Sequence, residues 1–138
     1  MIYLSKAYTY FIVFGEEFSP SELTNQINIK PTDFGIKGEK RKSGAVLKES
    51  FWKYQLNKTD ALDGIDESLL SLIEVFNGKI NLLKDFMLRN GLKSKCFIVI
   101  ESQNEESNGV TLTPDFIDFL HKLNTSVEID IYSQLRLK

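Results

Sequence analysis

The chain repeats one order of motifs, and this repetition limits its fold more than any other feature. In the first copy Phe11-Ile12-Val13-Phe14 precedes Ser19-Pro20, and in the second copy Phe97-Ile98-Val99-Ile100 precedes Thr113-Pro114. Runs of β-branched and aromatic residues are typical of strands, whereas Ser or Thr followed by Pro is typical of the start of a helix. The repetition therefore predicts two β-α-β halves.

A second β-rich segment follows the predicted helix in each half, at residues 51–57 and at residues 126–132. Because side chains alternate along a strand, Trp52, Tyr54 and Leu56 share one face of the first segment. On the last strand Val127, Ile129 and Ile131 point one way, and Glu128, Asp130 and Tyr132 point the other. We therefore expect an α+β fold: two β-α-β halves form one mainly antiparallel or mixed sheet of four to five strands, with helices on one face.

The helices are indicated by caps and by apolar spacing. Ser19 and Thr113 are favourable N-caps, each with Pro at the first helical position. Between the halves, an apolar stripe with helical spacing is interrupted at Asn77-Gly78, which predicts two helices or one kinked helix ending at Asn90-Gly91. The stripe consists of Leu69, Ile73, Phe76, Ile80, Leu83 and Met87. The expected buried face of the last helix consists of Phe116, Ile117, Leu120 and Leu123.

Two segments lack a clear pattern. Residues 33–50 contain Gly35, Gly38 and Gly44, and we expect a long, partly mobile loop there. Residues 103–109 are polar and predict a second loop, followed by a short β segment at Val110-Thr111-Leu112.

Size and composition favour one globular domain spanning residues 1–138. The net charge of −2 argues against a nucleic-acid-binding protein, because such proteins concentrate positive charge. The N-terminus lacks the pattern of a signal peptide, and no apolar stretch approaches the roughly 20 residues of a membrane-spanning helix. With a single cysteine the chain forms no intramolecular disulfide. We therefore expect a cytoplasmic protein that does not associate with membranes.

The residue types needed for common catalytic sites are scarce. His121 is the only histidine and Cys96 the only cysteine, so a His-based metal cluster is not expected. A nucleophilic pair of Cys96 and His121 requires that the two meet in space, and the simpler interpretation is a buried thiol and, separately, a solvent-facing imidazole. The glycines show neither Walker nor dinucleotide-binding spacing. We expect no enzyme, no metal and no cofactor.

Three groups of residues are candidates for binding. Lys37, Lys40 and Arg41 form a basic cluster that suits phosphate or an acidic partner, although a solvated loop is the simpler interpretation. Trp52 and Tyr54 suit base stacking or, more simply, a core. The third group consists of Glu128, Asp130 and Tyr132 on the polar face of the last strand, which indicates a solvated edge or an acidic protein-binding patch.

The order and spacing of the motifs is more specific than any one of them. It comprises residues 10–15, Phe18-Ser19-Pro20, Leu23-Thr24, Ile29-Lys30-Pro31-Thr32, Lys37-Gly38, Trp52-Lys53-Tyr54, residues 69–83, Leu112-Thr113-Pro114, Phe119-Leu120, Leu123 and Ile129-Asp130-Ile131-Tyr132. This series resembles the bacterial domain-of-unknown-function family 4279 over almost the whole chain. The resemblance implies no catalytic residue. It implies a small protein of polymorphic-toxin neighbourhoods, where such members are suspected immunity proteins.

Three functional hypotheses follow. The first is a non-catalytic binding protein that neutralises a cognate toxin through protein–protein contacts. The alternative is a small-molecule-binding regulatory domain, with a cleft where the two halves meet. The third is a hydrolase or transferase that uses Glu128 and Asp130, whose carboxylates lie about 7 Å apart along the strand. It ranks last, because the sequence shows no apolar neighbour that would separate their pKa values.

Overall fold

The computed structural model describes residues 6–60, 64–102 and 109–133. Within these ranges it contains six strands and four helices. The strands are β1 (Lys6–Gly15), β2 (Asp33–Gly35), β3 (Ser50–Gln55), β4 (Thr59–Asp60), β5 (Lys93–Ser102) and β6 (Ser126–Ser133). The helices are α1 (Pro20–Ile27), α2 (Ile65–Val75), α3 (Ile80–Asn90) and α4 (Pro114–Lys122). In this part of the chain no helix is both long and apolar enough to cross a bilayer.

The strands form one open, mixed sheet in the order β2-β3-β1-β5-β6, and the short β4 pairs with the start of β1. Among the described strands only β5 and β6 pair in parallel, whereas β1 pairs antiparallel with β3, β4 and β5. The prediction of an α+β fold built on one mixed sheet is therefore confirmed.

The two halves differ in how the chain returns to the sheet. In the second half α4 leads back to β6, which lies parallel beside β5. In the first half β3 is antiparallel to both β1 and β2, so β2 runs parallel to β1 with β3 inserted between them. The return strand after α1 is thus β2, and the strand predicted at residues 51–57 arises from a further reversal of the chain.

That reversal occurs in the segment that the sequence predicts to be a long loop. The prediction is wrong for residues 33–35, which form β2 and pair with β3, and a small hairpin with one isolated bridge follows. In the hairpin Gly38 N donates to Leu47 O at 2.8 Å, and Arg41 N donates to Ala45 O at 2.8 Å. Two of the glycines that suggested a loop, Gly38 and Gly44, belong to this hairpin. Gly44 adopts φ +90° at the turn, a conformation that glycine adopts without strain.

The helix ends agree with the predicted caps. The hydroxyl of Ser19 accepts a hydrogen bond from Glu22 N, and that of Thr113 accepts one from Phe116 N. The apolar stripe divides into α2 and α3 around Gly78, and Gly91 ends α3 in the left-handed conformation at φ 64°. The predicted buried face of α4 was partly wrong. Ile117, which the prediction included, is 51% exposed, whereas Phe119, which it left out, is 3% exposed.

The core lies against one face of the sheet, which we call the core face. Ala7, Phe11 and Val13 of β1 alternate with half-buried residues and join core residues from all four helices in one hydrophobic cluster. Trp52 belongs to this cluster and is fully buried. One further prediction needs correction, because Val110-Thr111-Leu112 forms no strand. Ile129 and Ile131 share a face with Ile98 and Ile100 but are exposed. The predicted loop at residues 103–109 lies outside the described residues except for Gly109.

Candidate functional site

The face of the sheet opposite the core carries the most distinctive surface of the molecule, and we call it the second face. Tyr8, Tyr10, Ile12 and Phe14 of β1 lie there and are half-buried. The antiparallel register places Phe97 of β5 directly beside Tyr10. Paired residues on neighbouring strands point to the same side of a sheet, so the register brings side chains from β3, β1, β5 and β6 onto one surface.

Three aromatic rings form a continuous row along the middle of the second face. The rings of Tyr8 and Tyr10 are 6.4 Å apart between centroids and nearly parallel at 20°. The rings of Tyr10 and Phe97 are 4.7 Å apart at 16°. Aromatic pairs at these separations attract one another in offset stacks. The aromatic row (Tyr8, Tyr10 and Phe97) is therefore pre-ordered rather than assembled on binding.

Lysine side chains lie over the aromatic row. Lys53 Nζ is 4.3 Å from the centroid of the Tyr10 ring, and Lys58 Nζ is 5.5 Å from that of Tyr8. Lys95 Nζ is 5.7 Å from the centroid of Phe97. Lys58 also forms an ion pair with Glu101 at 2.7 Å, and this hydrogen bond raises the pKa of the ammonium. Cations within about 6 Å of a ring face are attracted to it, so the row fixes positive charges at its surface.

The opposite margin of the second face is acidic. Glu128 of β6 is paired with Phe97, Asp130 with Val99 and Tyr132 with Glu101. Tyr132 is 56% exposed, and Glu128 is also exposed. Burial first, and then the charge of neighbours including Tyr8, Asp130 and Glu128, raises the pKa of Tyr10 to about 12. The acidic edge (Glu128, Asp130 and Tyr132) is thus electrostatically coupled to the aromatic row.

The basic cluster predicted from sequence lies at the other side of the sheet, in the hairpin after β2. The Arg41 guanidinium lies 3.7 Å from Asp33 Oδ1 and donates to the carbonyl of Phe34 at 3.0 Å. Lys37 forms an ion pair with Glu16 at 3.3 Å, while Lys40 is exposed. Arg41 therefore links the hairpin to β2, and Lys37 links it to Glu16, which follows β1. The basic cluster and the acidic edge do not form one site.

Trp52 and Tyr54 face the core rather than solvent. The indole Nε1 of Trp52 donates to Thr24 Oγ1 at 3.0 Å, and its ring lies 6.2 Å from Phe76. Tyr54 is half-buried, with its ring 6.2 Å from that of Phe76. The simpler of the two interpretations holds for these residues, because Thr24 of α1 and Phe76, which follows α2, lie against this face of β3. Base stacking by Trp52 is wrong, since no part of it is exposed.

Cys96 and His121 occupy different environments. Cys96 is fully buried in the core, and burial raises the pKa of its thiol to about 12. The thiol is therefore protonated at neutral pH, whereas nucleophilic cysteines react as thiolates. His121 is exposed on α4. Over residues 6–60, 64–102 and 109–133, no three His, Cys, Asp or Glu side chains lie together where they would hold a metal ion.

Sequence reasoning missed most of the second face. The alternation in β1 separates Tyr8 and Tyr10 from Phe11 and Val13, but both sets are apolar enough to form a core. One usable signal was the hydroxyl of tyrosine, which favours a face that retains contact with water. The cross-strand neighbours Phe97 and Lys53 depend on strand order, which local patterns do not specify.

Comparison with known proteins gives one match. The family model described as Domain of unknown function (DUF4279) matches residues 5–134. No curated protein and no solved structure shows a significant match to the chain. The matched range includes every strand and helix described above. Because the match covers nearly the whole sequence, the chain belongs to the DUF4279 family of domains of unknown function.

Proposed function

We propose that the chain is a non-catalytic binding protein whose second face contacts a partner protein. The observation that carries this proposal is the half-exposed aromatic row, with lysines over it and an acidic edge beside it. Centres of protein interfaces are enriched in aromatic residues, and their rims are polar. A row that is already stacked loses little conformational freedom on binding, which favours affinity.

The charges of the second face define the partner that would fit. Lys53 and Lys58 lie on the β3 side of the aromatic row, whereas Glu128 and Asp130 lie beyond it on β6. A complementary partner presents carboxylates opposite the lysines and basic groups opposite the acidic edge. Such complementarity steers association and selects among partners more than it adds affinity.

A toxin is the proposed class of partner. This step rests on the resemblance to proteins of polymorphic-toxin neighbourhoods rather than on geometry. An immunity protein acts by covering its toxin, so it needs a stable surface and no reacting groups of its own. The pre-ordered aromatic row supplies such a surface, and a reducing cytoplasm suits the buried thiol of Cys96.

The arrangement favours binding over hydrolysis by Glu128 and Asp130. A glycosidase pair needs one carboxyl in apolar surroundings, so that it holds a proton near neutral pH. Glu128 is exposed on a strand at the edge of the sheet order, and Asp130 is only half-buried. Both carboxyl groups keep contact with solvent at this edge, which suits an acidic binding patch.

The first experiment is affinity capture of the tagged protein from its native cells, followed by mass spectrometry and interface mapping. We expect one stoichiometric protein partner. The doubly substituted variant Tyr10→Ala/Phe97→Ala should weaken that complex by more than about tenfold, because it removes the centre of the surface. Glu128→Lys/Asp130→Lys should slow association at low salt.

Leu70→Ala is the matched control, because Leu70 is 52% exposed on α2 and does not belong to the sheet. Its affinity should equal that of the unmodified protein. Circular dichroism confirms that each variant remains folded. A complex that survives both second-face variants but is lost with Leu70→Ala would place the interface on the helices and overturn the proposal.

A further inference from the structure

A cavity of about 450 Å³ lies where β1 ends and β5 and β6 begin, against α3 and the residues that follow α4. We call it the basic cavity. It is lined by Phe14, Lys84, Met87, Leu88, Leu92, Lys93, Ser94, Lys95, Leu123, Asn124 and Ser126. Its volume falls within the range of about 300–1,000 Å³ that small-molecule sites occupy. Elements of both halves meet here, where the sequence suggested a cleft.

The floor of the basic cavity is apolar. Met87 and Leu123 are buried, and Leu92 is half-buried against the core. The hydroxyl of Ser94 is also buried, but it is hydrogen-bonded to Thr125 Oγ1 at 2.6 Å. The floor therefore presents no buried polar group that lacks a partner, and it suits the apolar body of a ligand.

The rim of the basic cavity is positively charged and carries no acidic residue. Lys84, Lys93 and Lys95 are the charged lining residues. Across the described ranges, no carboxylate lies within ion-pair distance of any of the three, and Lys95 Nζ lies over the ring of Phe97. Like charges that share a concave, partly apolar wall raise the local positive potential, which attracts anions.

Three lysines elsewhere in the described part of the fold form ion pairs, in contrast to the three lysines of the rim. Lys37 lies 3.3 Å from Glu16, Lys58 lies 2.7 Å from Glu101, and Lys122 lies 2.8 Å from Asp118. The absence of such a partner at the rim leaves room for the charged group of a ligand.

We propose that the basic cavity binds a small amphiphilic anion, with its apolar body on Met87, Leu92 and Leu123 and its carboxylate between Lys84 and Lys93. This inference does not depend on a protein partner. The cavity borders the second face at Phe14 and Lys95, so the two sites are neighbours. The cavity is floored by Met87, Leu92 and Leu123, whereas the second face presents the aromatic row.

Octanoate tests the proposal, with octanol and octylammonium as probes of equal chain length. We expect saturable binding of octanoate in isothermal titration calorimetry and a rise in Tm of about 3 °C or more at saturation. Octanol should bind at least fivefold more weakly, and octylammonium should show no saturable binding. Amide shifts in heteronuclear NMR should cluster at Met87, Leu92 and Ser126.

The variant Lys84→Gln/Lys93→Gln should weaken octanoate binding about fivefold and leave octanol unaffected. Lys42→Gln/Lys48→Gln is the control, because both lysines are exposed and lie outside the cavity. Equal binding of octanoate and octanol, or equal effects of the two variants, would show apolar adsorption and overturn the proposal. Shifts confined to Tyr8 and Tyr10 would overturn it as well, because they would place the ligand on the second face.

Discussion

The two faces of the sheet are both rich in aromatic residues, yet they use them differently. On the core face Trp52 is fully buried, and its indole donates to Thr24. On the second face Tyr10 is half-buried, and Lys53 lies over its ring. The helices account for the difference, since their core residues cover the first face. Aromatic content alone therefore does not identify a core, and the elements that cover the rings decide which face is buried.

The largest effect is expected from removing the aromatic group on the core face. Trp52→Ala should lower the free energy of unfolding by about 3–5 kcal/mol, because it leaves a large cavity beside Phe76 and removes the partner of Thr24. Urea denaturation followed by circular dichroism measures this loss. Trp52→Phe keeps much of the volume and should cost less than half as much.

A loss below about 1 kcal/mol for Trp52→Ala would contradict the assignment of the core face. Thr24→Val then separates the contribution of the hydrogen bond from that of the packed indole ring. It removes the hydroxyl that accepts from the indole at 3.0 Å and leaves a similar volume. If the hydrogen bond matters, Thr24→Val should destabilise the protein by about 1 kcal/mol.

Much of the core face was predictable from the sequence because its signals are local. Ser19 and Thr113 cap helices through their own side chains, and Gly91 ends α3 by adopting a left-handed conformation. The apolar stripe broken at Gly78 likewise depends on spacing within a few turns. These features act over three or four residues, so the order of residues is enough to locate them.

Features that depend on strand order were not predictable. The insertion of β3 between β1 and β2 follows from a hairpin whose short bridge joins Lys40 and Val46. The second face follows from the pairing of Tyr10 with Phe97, which are 87 positions apart in the sequence. Predicting Glu128, Asp130 and Tyr132 as one polar surface needed only alternation along β6, whereas their aromatic neighbours needed the register.

An intermediate effect is expected on the second face. Phe97→Ala should lower the free energy of unfolding by about 1–2 kcal/mol, because the ring is already in contact with water on one side. It also removes the stack with Tyr10 at 4.7 Å and the ring under Lys95. The same urea denaturation provides the comparison with Trp52→Ala.

The ratio of these two losses is the useful quantity. A loss for Phe97→Ala equal to that for Trp52→Ala would mean that the second face is a second core, covered in solution by another molecule. Ile36→Ala serves as the control for an exposed apolar residue away from both faces, since Ile36 is 52% exposed. Its effect should stay within about 0.5 kcal/mol.

The smallest effect concerns the titration of Tyr10, and it tests whether the acidic edge acts on the aromatic row. The pKa of Tyr10 is raised from 10.0 to about 12, chiefly by burial and then by Tyr8, Asp130 and Glu128. Negative neighbours disfavour the tyrosinate, so Glu128→Gln/Asp130→Asn should lower the pKa of Tyr10 by about half a pH unit. Absorbance at 295 nm during alkaline titration measures the change, and Tyr10→Phe identifies which transition belongs to this residue.

The raised pKa of Tyr10 also makes the free energy of unfolding fall at high pH. Because the folded protein holds the Tyr10 proton more tightly than the unfolded chain does, the stabilisation is fully present below pH 10 and disappears as pH rises through 12. The protein should therefore lose stability over that window, and Tyr10→Phe should lose less of it. Neutralising Glu128 and Asp130 should move the upper limit of the window downwards. An unchanged window would mean that Glu128 and Asp130 do not act on the aromatic row, and would leave burial and the neighbouring tyrosines as the causes of the raised pKa.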